Sequence, residues 1–196
     1  IANIYARDPM AMNAIHKTVS ELAPDRFVLG LGVSHAPLVK DIRGHAYQKP
    51  VSTMRAYLQS MQNALYMAAT AQEQAPIVLG ALRQNMLQLS AELTHGAHPY
   101  FVPPAHTAWA REILGPDALL CPEQMLLLET DAGRARTIAR SHMATYITLD
   151  NYKNNLKQFG FDEADFDNGG SDKLVDAIIA WGDEQALRDR IQAHWD

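Results

Sequence analysis

Arg26-Phe-Val-Leu-Gly-Leu-Gly32 is a short apolar run that follows the breaker Pro24-Asp25 and ends in glycines. Too short for a helix of ordinary length, it reads as a buried parallel strand running into a loop. The segment before it reads as a helix. Asp8 can cap the free amides, Pro9 suits the first helical position, and Ala11, Ile15, Val19 and Leu22 fall on one face. Ahead of that helix, the first residues from Ile1 read as the tail of another strand. The order strand, helix, strand therefore appears within the first 32 residues.

The same alternation continues outward. Ser34 to Lys49 has no period and is rich in His, Gly and Pro, as expected of a long loop at a strand exit. Pro50 opens a helix with Val51, Met54, Leu58, Met61 and Leu65 on its stripe. Ile77 to Ala81 reads as a strand, and Leu82, Met86, Leu89 and Leu93 as the stripe of the next helix. Ala97 to Val102 is a strand candidate stopped by Pro103-Pro104, and Gln124 to Glu129 is another. Asp131 caps a helix predicted to turn Ala135, Ile138, His142 and Tyr146 inward. Asn151 to Phe159 reads as helical and Asp162 to Gly170 as a solvated acidic loop. Ser171 caps a helix through Ile179, and Gly182-Asp183 separates it from a last one. No strand is predicted after Glu129.

Repeated strand–helix alternation without hairpin signals predicts an α/β fold with a parallel sheet. Gly30-Leu31-Gly32 is followed by Val-Ser-His, so the dinucleotide fingerprint G-x-G-x-x-G fails at its third glycine. A (β/α)8 TIM-type barrel, incomplete at both ends of this chain, is the expectation: about five strands are legible where the barrel has eight. No boundary is visible, so residues 1–196 are expected to form one domain. Net charge is −5 and no basic patch stands out, which argues against nucleic acid. No apolar run approaches the ~20 residues of a membrane span. The single cysteine, Cys121, excludes an internal disulfide, and a cytoplasmic location is expected.

In a parallel barrel the site lies at the C-terminal ends of the strands. That rule selects Asn3, Ser34 and His35, the stretch from Ala81 to Gln84, Pro103 to Thr107, and Glu129 to Asp131. His35 can carry a proton near neutral pH and is the candidate acid–base group. Arg83 and Gln84 stand where a helix begins, which favours a phosphate. His95 and His98 have a metal-like spacing, but no third ligand lies at a sensible distance and no metal is expected. Ser34-His35 does not make a nucleophile triad, and there is no G-x-S-x-G.

Asn3-Ile-Tyr-Ala-Arg-Asp-Pro9, with Asp25 to Gly32, resembles the luciferase-like oxidoreductase superfamily, in particular its branch using coenzyme F420. Pro76-Ile-Val-Leu-Gly-Ala-Leu-Arg-Gln-Asn-Met-Leu87 and Glu92-Leu-Thr-His-Gly96 are similar to that family's phosphate-side strand and helix. Trp181-Gly-Asp-Glu-Gln-Ala-Leu-Arg188 is similar to the segment leading into its last barrel strand. The resemblance implies a (β/α)8 barrel, commonly a homodimer, with further strands before Ile1 and after Asp196. It implies a cis peptide at or just after Ile1, forming with Ala2 a bulge that supports the deazaflavin ring, with Asn3 beside it. Gly80 and Ala81 match the close approach to the cofactor phosphate. Leu82 and Arg83 depart from the family's small residues there, and His35 stands where several members have a glutamate.

The expected cofactor-binding set is thus Ile1, Ala2, Asn3, Ser34, Gly80, Ala81, Leu82, Arg83 and Gln84, with His35 catalytic. The activity expected by resemblance is hydride transfer between coenzyme F420 and a small-molecule substrate. The alternatives are an FMN-dependent monooxygenase of the same superfamily, or a non-catalytic barrel that binds cofactor or partner.

Overall fold

The computed structural model describes residues 1–69 and 73–195. These fall into two compact units: Ile1–His98 with Asp117–Leu119, and Pro99–Pro116 with Leu120–Asp196.

In the first unit the elements run β1 (Ala2–Asn3), α1 (Pro9–Leu22), β2 (Leu29–Gly32), α2 (Pro50–Gln62), β3 (Ile77–Leu79), α3 (Gln84–Leu93) and β4 (Gly96–Ala97). The sheet order is β1-β2-β3-β4 and then Leu119, the first residue of a two-residue strand, Leu119–Leu120. The first three pairings are parallel, with Ala2 opposite Leu31, Leu31 opposite Leu79, and Leu79 opposite Ala97. Leu31, Leu79 and Ala97 are fully buried, as expected of strands covered by helices. Each leucine buried in this way contributes about 1.5–3 kcal/mol.

Asp8 caps α1 as predicted, accepting from Ala11 N at 3.0 Å. The inward face, however, is Met12, Asn13, His16 and Ser20, one position from the predicted stripe, and Ile15 and Leu22 are exposed. The reason is polar. His16 Nε2 donates to Ala75 O at 2.8 Å, and Ser20 Oγ accepts from Ala75 N at 3.0 Å. Satisfying that segment's backbone turns the helix away from its apolar stripe. In α2, Met54, Leu58 and Met61 are buried as expected, but the helix ends at Gln62 and Leu65 lies exposed beyond it.

The fourth strand is shorter than the predicted Ala97 to Val102. Pro99 cannot donate to a ladder, and buried Phe101 adopts φ +59. Glycine is required at Gly96, where an added Cβ would come 1.8 Å from Leu119 O.

The second unit holds α4 (Pro104–Leu114), Leu120 from β5 (Leu119–Leu120), β6 (Met125–Leu128), α5 (Ala132–Met143), α6 (Asp150–Leu156), α7 (Asp172–Ile178), β7 (Ile179–Gly182) and α8 (Glu184–Gln192). Here the expectation of no strand after Glu129 is corrected. Ile179-Ala-Trp-Gly182 is a strand that pairs in parallel with β6, from Met125 opposite Ile179 to Leu128 opposite Gly182. The run from Leu174 to Ile179 carries an apolar spacing that fits helix, yet the chain passes from helix to strand at Ile179, whose branched side chain suits a pleated surface.

In α5 the buried residues are Ala135, Ala139 and Met143, while Ile138 is exposed, so this stripe too is shifted from the predicted one. The acidic segment is not a solvated loop. Glu163–Gly169 forms 3-10 turns opened by a capping box between Asp162 and Asp165, and Asp165 is buried, its carboxylate accepting from Ser171 Oγ. No helix among the described residues is long and apolar enough to cross a membrane.

Candidate functional site

Parallel pairing of β1, β2 and β3 carries their outgoing ends to one edge of the first unit's sheet. The main chain ties those ends together: Ile4 N donates to Gly32 O at 3.1 Å, and Gly80 N to Leu31 O at 2.8 Å. Asn3, Ser34, His35 and the run Gly80 to Gln84 therefore leave the sheet side by side, as the strand-end rule anticipates. Asn3 Oδ1 accepts from Tyr5 N at 2.9 Å, shaping the turn after β1. Ser34 holds φ +58 and its carbonyl accepts from Tyr47 Oη at 3.3 Å. His35 is half-buried, and its carbonyl accepts from Val39 N as the chain enters a π-helical turn, Leu38–Ile42.

Gly80 and Leu82 are part-exposed, Ala81 is buried, and Arg83 and Gln84 are exposed. Arg83 occupies the N-cap of α3 in extended conformation, with no side-chain cap on that helix end. Uncapped amides and the helix dipole there favour an anion, and the guanidinium beside them adds a forked cationic donor. At Gly80 an added Cβ would sit in ordinary contact with Ile1, Leu31 O and Gly32, none nearer than 3.7 Å. Ile1 lies across Gly30 and Gly32, where any Cβ would collide with its side chain at 2.3 and 2.8 Å. No cis peptide occurs among the described residues, so the bonds that follow Ile1 through Ala2 to Asn3 are trans.

Sequence reasoning passed over three residues at this edge. Tyr5, two positions after β1, stacks on His45 with ring centroids 6.2 Å apart and packs on Tyr47 at 6.1 Å. Burial, and then the nearby Tyr5, push the Tyr47 hydroxyl above its usual range. The strand-exit rule reaches Tyr5. His45 and Tyr47 lie in an aperiodic loop where only the fold reveals their partner.

Other candidates take structural places. His95 Nδ1 accepts from Ile77 N at 3.0 Å, at the incoming end of β3 and away from the strand exits. His106 is fully buried in α4 against Trp109 and Phe159, and Thr107 Oγ1 bonds His194 Nδ1 at 2.7 Å.

The second unit gathers protonatable groups of its own. Tyr100 Oη donates to Tyr146 Oη at 2.8 Å, and Tyr152 packs against both rings. Burial pushes Tyr152 up to about 12 and raises Tyr100 as well, with the Tyr146 hydrogen bond adding to the latter. Glu123 is raised by burial, an effect opposed by His142 and by a hydrogen bond from the Phe101 backbone. The cluster favours protonated carboxyl and phenol.

The profile of the luciferase-like monooxygenase family matches residues 1–195. The chain belongs to that family. Among curated protein sequences none matches the chain. Of solved structures, this family member is similar to an F420-dependent secondary alcohol dehydrogenase solved with an F420–acetone adduct. The TM-score is 0.72 at 9% identity, over 100% of this chain and 68% of that one. It is also similar to the coenzyme F420-dependent tetrahydromethanopterin reductase of Methanopyrus kandleri, with TM-score 0.62, 14% identity, and 100% and 72% coverage. A third is the FMN-bound oxygenating constituent of 3,6-diketocamphane monooxygenase, a type II Baeyer–Villiger enzyme from Pseudomonas putida. There the TM-score is 0.61 at 11% identity, over 98% and 67%. At these identities the likeness establishes the fold, which is the α/β fold of the luciferase-like TIM barrels.

The strand-exit residues suit a flavin-type group. The uncapped start of α3 and exposed Arg83 match a phosphate, while Asn3 and the trio around Tyr5 offer polar and aromatic surface to a planar ring.

Proposed function

We propose that this luciferase-like protein is an oxidoreductase that transfers hydride between coenzyme F420 and a small organic substrate. The observation carrying the reading is the convergence of Asn3, Ser34, His35 and Gly80 to Gln84 at one sheet edge beside an uncapped helix start. Two solved structures with this fold are F420-dependent enzymes, which supports the choice of cofactor.

When bound, the deazaflavin supplies or accepts the hydride. The chain's own residues bind, orient and move a proton. Gly80 and Ala81 let the phosphate approach the backbone, and Arg83, with the first turn of α3, neutralises its charge. Leu82 and Gln84 flank that contact. Ile1, Ala2, Asn3 and Ser34 hold the ring side, and His35 gives or takes the substrate proton through its imidazole. Substrate selection falls to the segment from Ser34 to Lys49, which covers the exit of β2.

A second reading, FMN-dependent monooxygenation, is favoured by the similarity to an FMN-bound oxygenase, since FMN too carries a phosphate that Arg83 could pair with. Titration with each cofactor, followed by fluorescence quenching, separates the two. Selective binding of F420 supports the first reading, selective binding of FMN supports the second, and binding of neither removes both.

A further inference from the structure

Tyr5 presents an unusual deficit. Its hydroxyl is shielded from solvent and makes no hydrogen bond among the described residues. Leaving a buried polar group unpaired is destabilising, and such groups call for a specific explanation. The residue stands at the exit of β1, within the edge that gathers Asn3, Ser34 and Gly80. Its ring is not deep in a core. The groups over it are His45 and Tyr47, from the loop between β2 and α2.

The covering piece is lightly held. Gly44, His45, Ala46, Gln48 and Lys49 are exposed, and only Tyr47 is part-buried. Its ends are conformationally special: Gly44 has φ +68 with open space around it, and Lys49 has φ +41. A non-glycine residue in that left-handed region is strained. On the near side Val39 is fully buried and fixes the loop, with His45 N donating to its carbonyl at 3.0 Å. Tyr47 Oη reaches Ser34 O only at 3.3 Å. Rotation about Gly44 and Lys49 would lift His45 from Tyr5 at the cost of the single hydrogen bond from His45 N to Val39 O, leaving the buried Val39 side chain in place.

We propose that Tyr5 is a ligand-binding residue whose hydroxyl pairs with a carbonyl at the edge of a planar heterocycle once the Gly44–Lys49 flap lifts and His45 leaves the Tyr5 ring. This rests on the cofactor reading above and adds Tyr5 to the ring-side residues Ile1, Ala2, Asn3 and Ser34.

The test compares Tyr5→Phe with wild type in the full chain. Cofactor affinity is read by fluorescence titration with F420 and FMN, and the melting temperature is read without cofactor. Loss of one hydrogen bond predicts a Kd raised about tenfold. The unliganded melting temperature should stay the same or rise, because the variant removes only an unpaired hydroxyl. Wild type and variant binding equally would overturn the proposal while leaving the cofactor reading intact. A lowered melting temperature would also overturn it, by showing that the hydroxyl has an internal structural partner. Failure of wild type to bind either cofactor removes the cofactor reading and this proposal with it. A second variant tests the flap. In His45→Ala, nitration of Tyr5 by tetranitromethane, mapped by mass spectrometry, should be faster than in wild type, and saturating cofactor should suppress it. Equal nitration in both proteins contradicts the flap.

Discussion

Alanine at Gly96 is expected to damage the first unit severely. The added Cβ would sit 1.8 Å from Leu119 O and 2.6 Å from its carbonyl carbon, and both are backbone atoms that no rotamer change can move. Relief requires parting β4 from Leu119, which loses the 2.8 Å hydrogen bond from Leu119 N to His95 O. That bond is worth about 1 kcal/mol net. The φ of +154 disfavours any L side chain by about 1–3 kcal/mol more, and residual overpacking adds about 1–3 kcal/mol. The expected loss is roughly 3–7 kcal/mol, comparable with the ~5–15 kcal/mol that stabilises an ordinary domain. Gly44→Ala is the matched control. It has φ +68 but nothing within 4 Å of the added carbon, so only about 1–2 kcal/mol is at stake. Urea denaturation followed by circular dichroism measures both. If Gly96→Ala unfolds at the same urea concentration as Gly44→Ala, the close approach of Leu119 to β4 is wrong.

Further predictions concern the site and the charge balance. His35→Ala should lower turnover about 10²–10⁴-fold while cofactor Kd stays within twofold, measured by steady-state kinetics and fluorescence titration. Unchanged turnover would remove His35 from the chemistry. Arg83→Ala should weaken cofactor binding about tenfold, with a shallower salt dependence, because its guanidinium is exposed and the contact is screened; an unaltered salt slope contradicts the phosphate role. Asn155 is fully buried with neither amide atom partnered among the described residues, so Asn155→Leu should raise the melting temperature. Two pH effects have definite signs. Burial lowers the His16 pKa, so its folded form resists protonation, and stability should decline as pH falls below about 6.5. Asp176 is pulled below the usual aspartate range by Arg136 and Trp181 despite the opposing, larger effect of burial. Its stabilising contribution should therefore be present at neutral pH and vanish as pH drops through that lowered value. Melting curves from pH 8 to pH 2, repeated with Asp176→Asn, should show that the acid-side loss is smaller in the variant.

The elements most legible in the sequence were those whose local signals agree with their tertiary surroundings. Asp8-Pro9 caps α1, Asp131 caps α5, and Arg26 to Gly32 contains β2. The inward faces of α1 and α5 were misplaced because burial there obeys other demands. His16 and Ser20 turn inward to satisfy Ala75, and in α5, where Ala135 is buried as predicted, Ala139 and Met143 continue the inward face in place of Ile138 and His142. The strand Ile179 to Gly182 hid behind an apolar spacing shared by a helix and a short strand. The edge joining Asn3, Ser34 and Gly80 was foreseeable from the rule that parallel strands release their functional residues at their C-terminal ends. The cover of His45 and Tyr47 over Tyr5 depends on contacts between segments about forty residues apart, which no local pattern encodes.

The most direct test of the central claim is the equilibrium affinity of the protein for coenzyme F420 set against FMN, with Arg83→Ala measured in parallel. The account predicts saturable F420 binding, weaker FMN binding, and a loss of F420 affinity in the variant. F420 binding that is absent, or indifferent to Arg83, would contradict it.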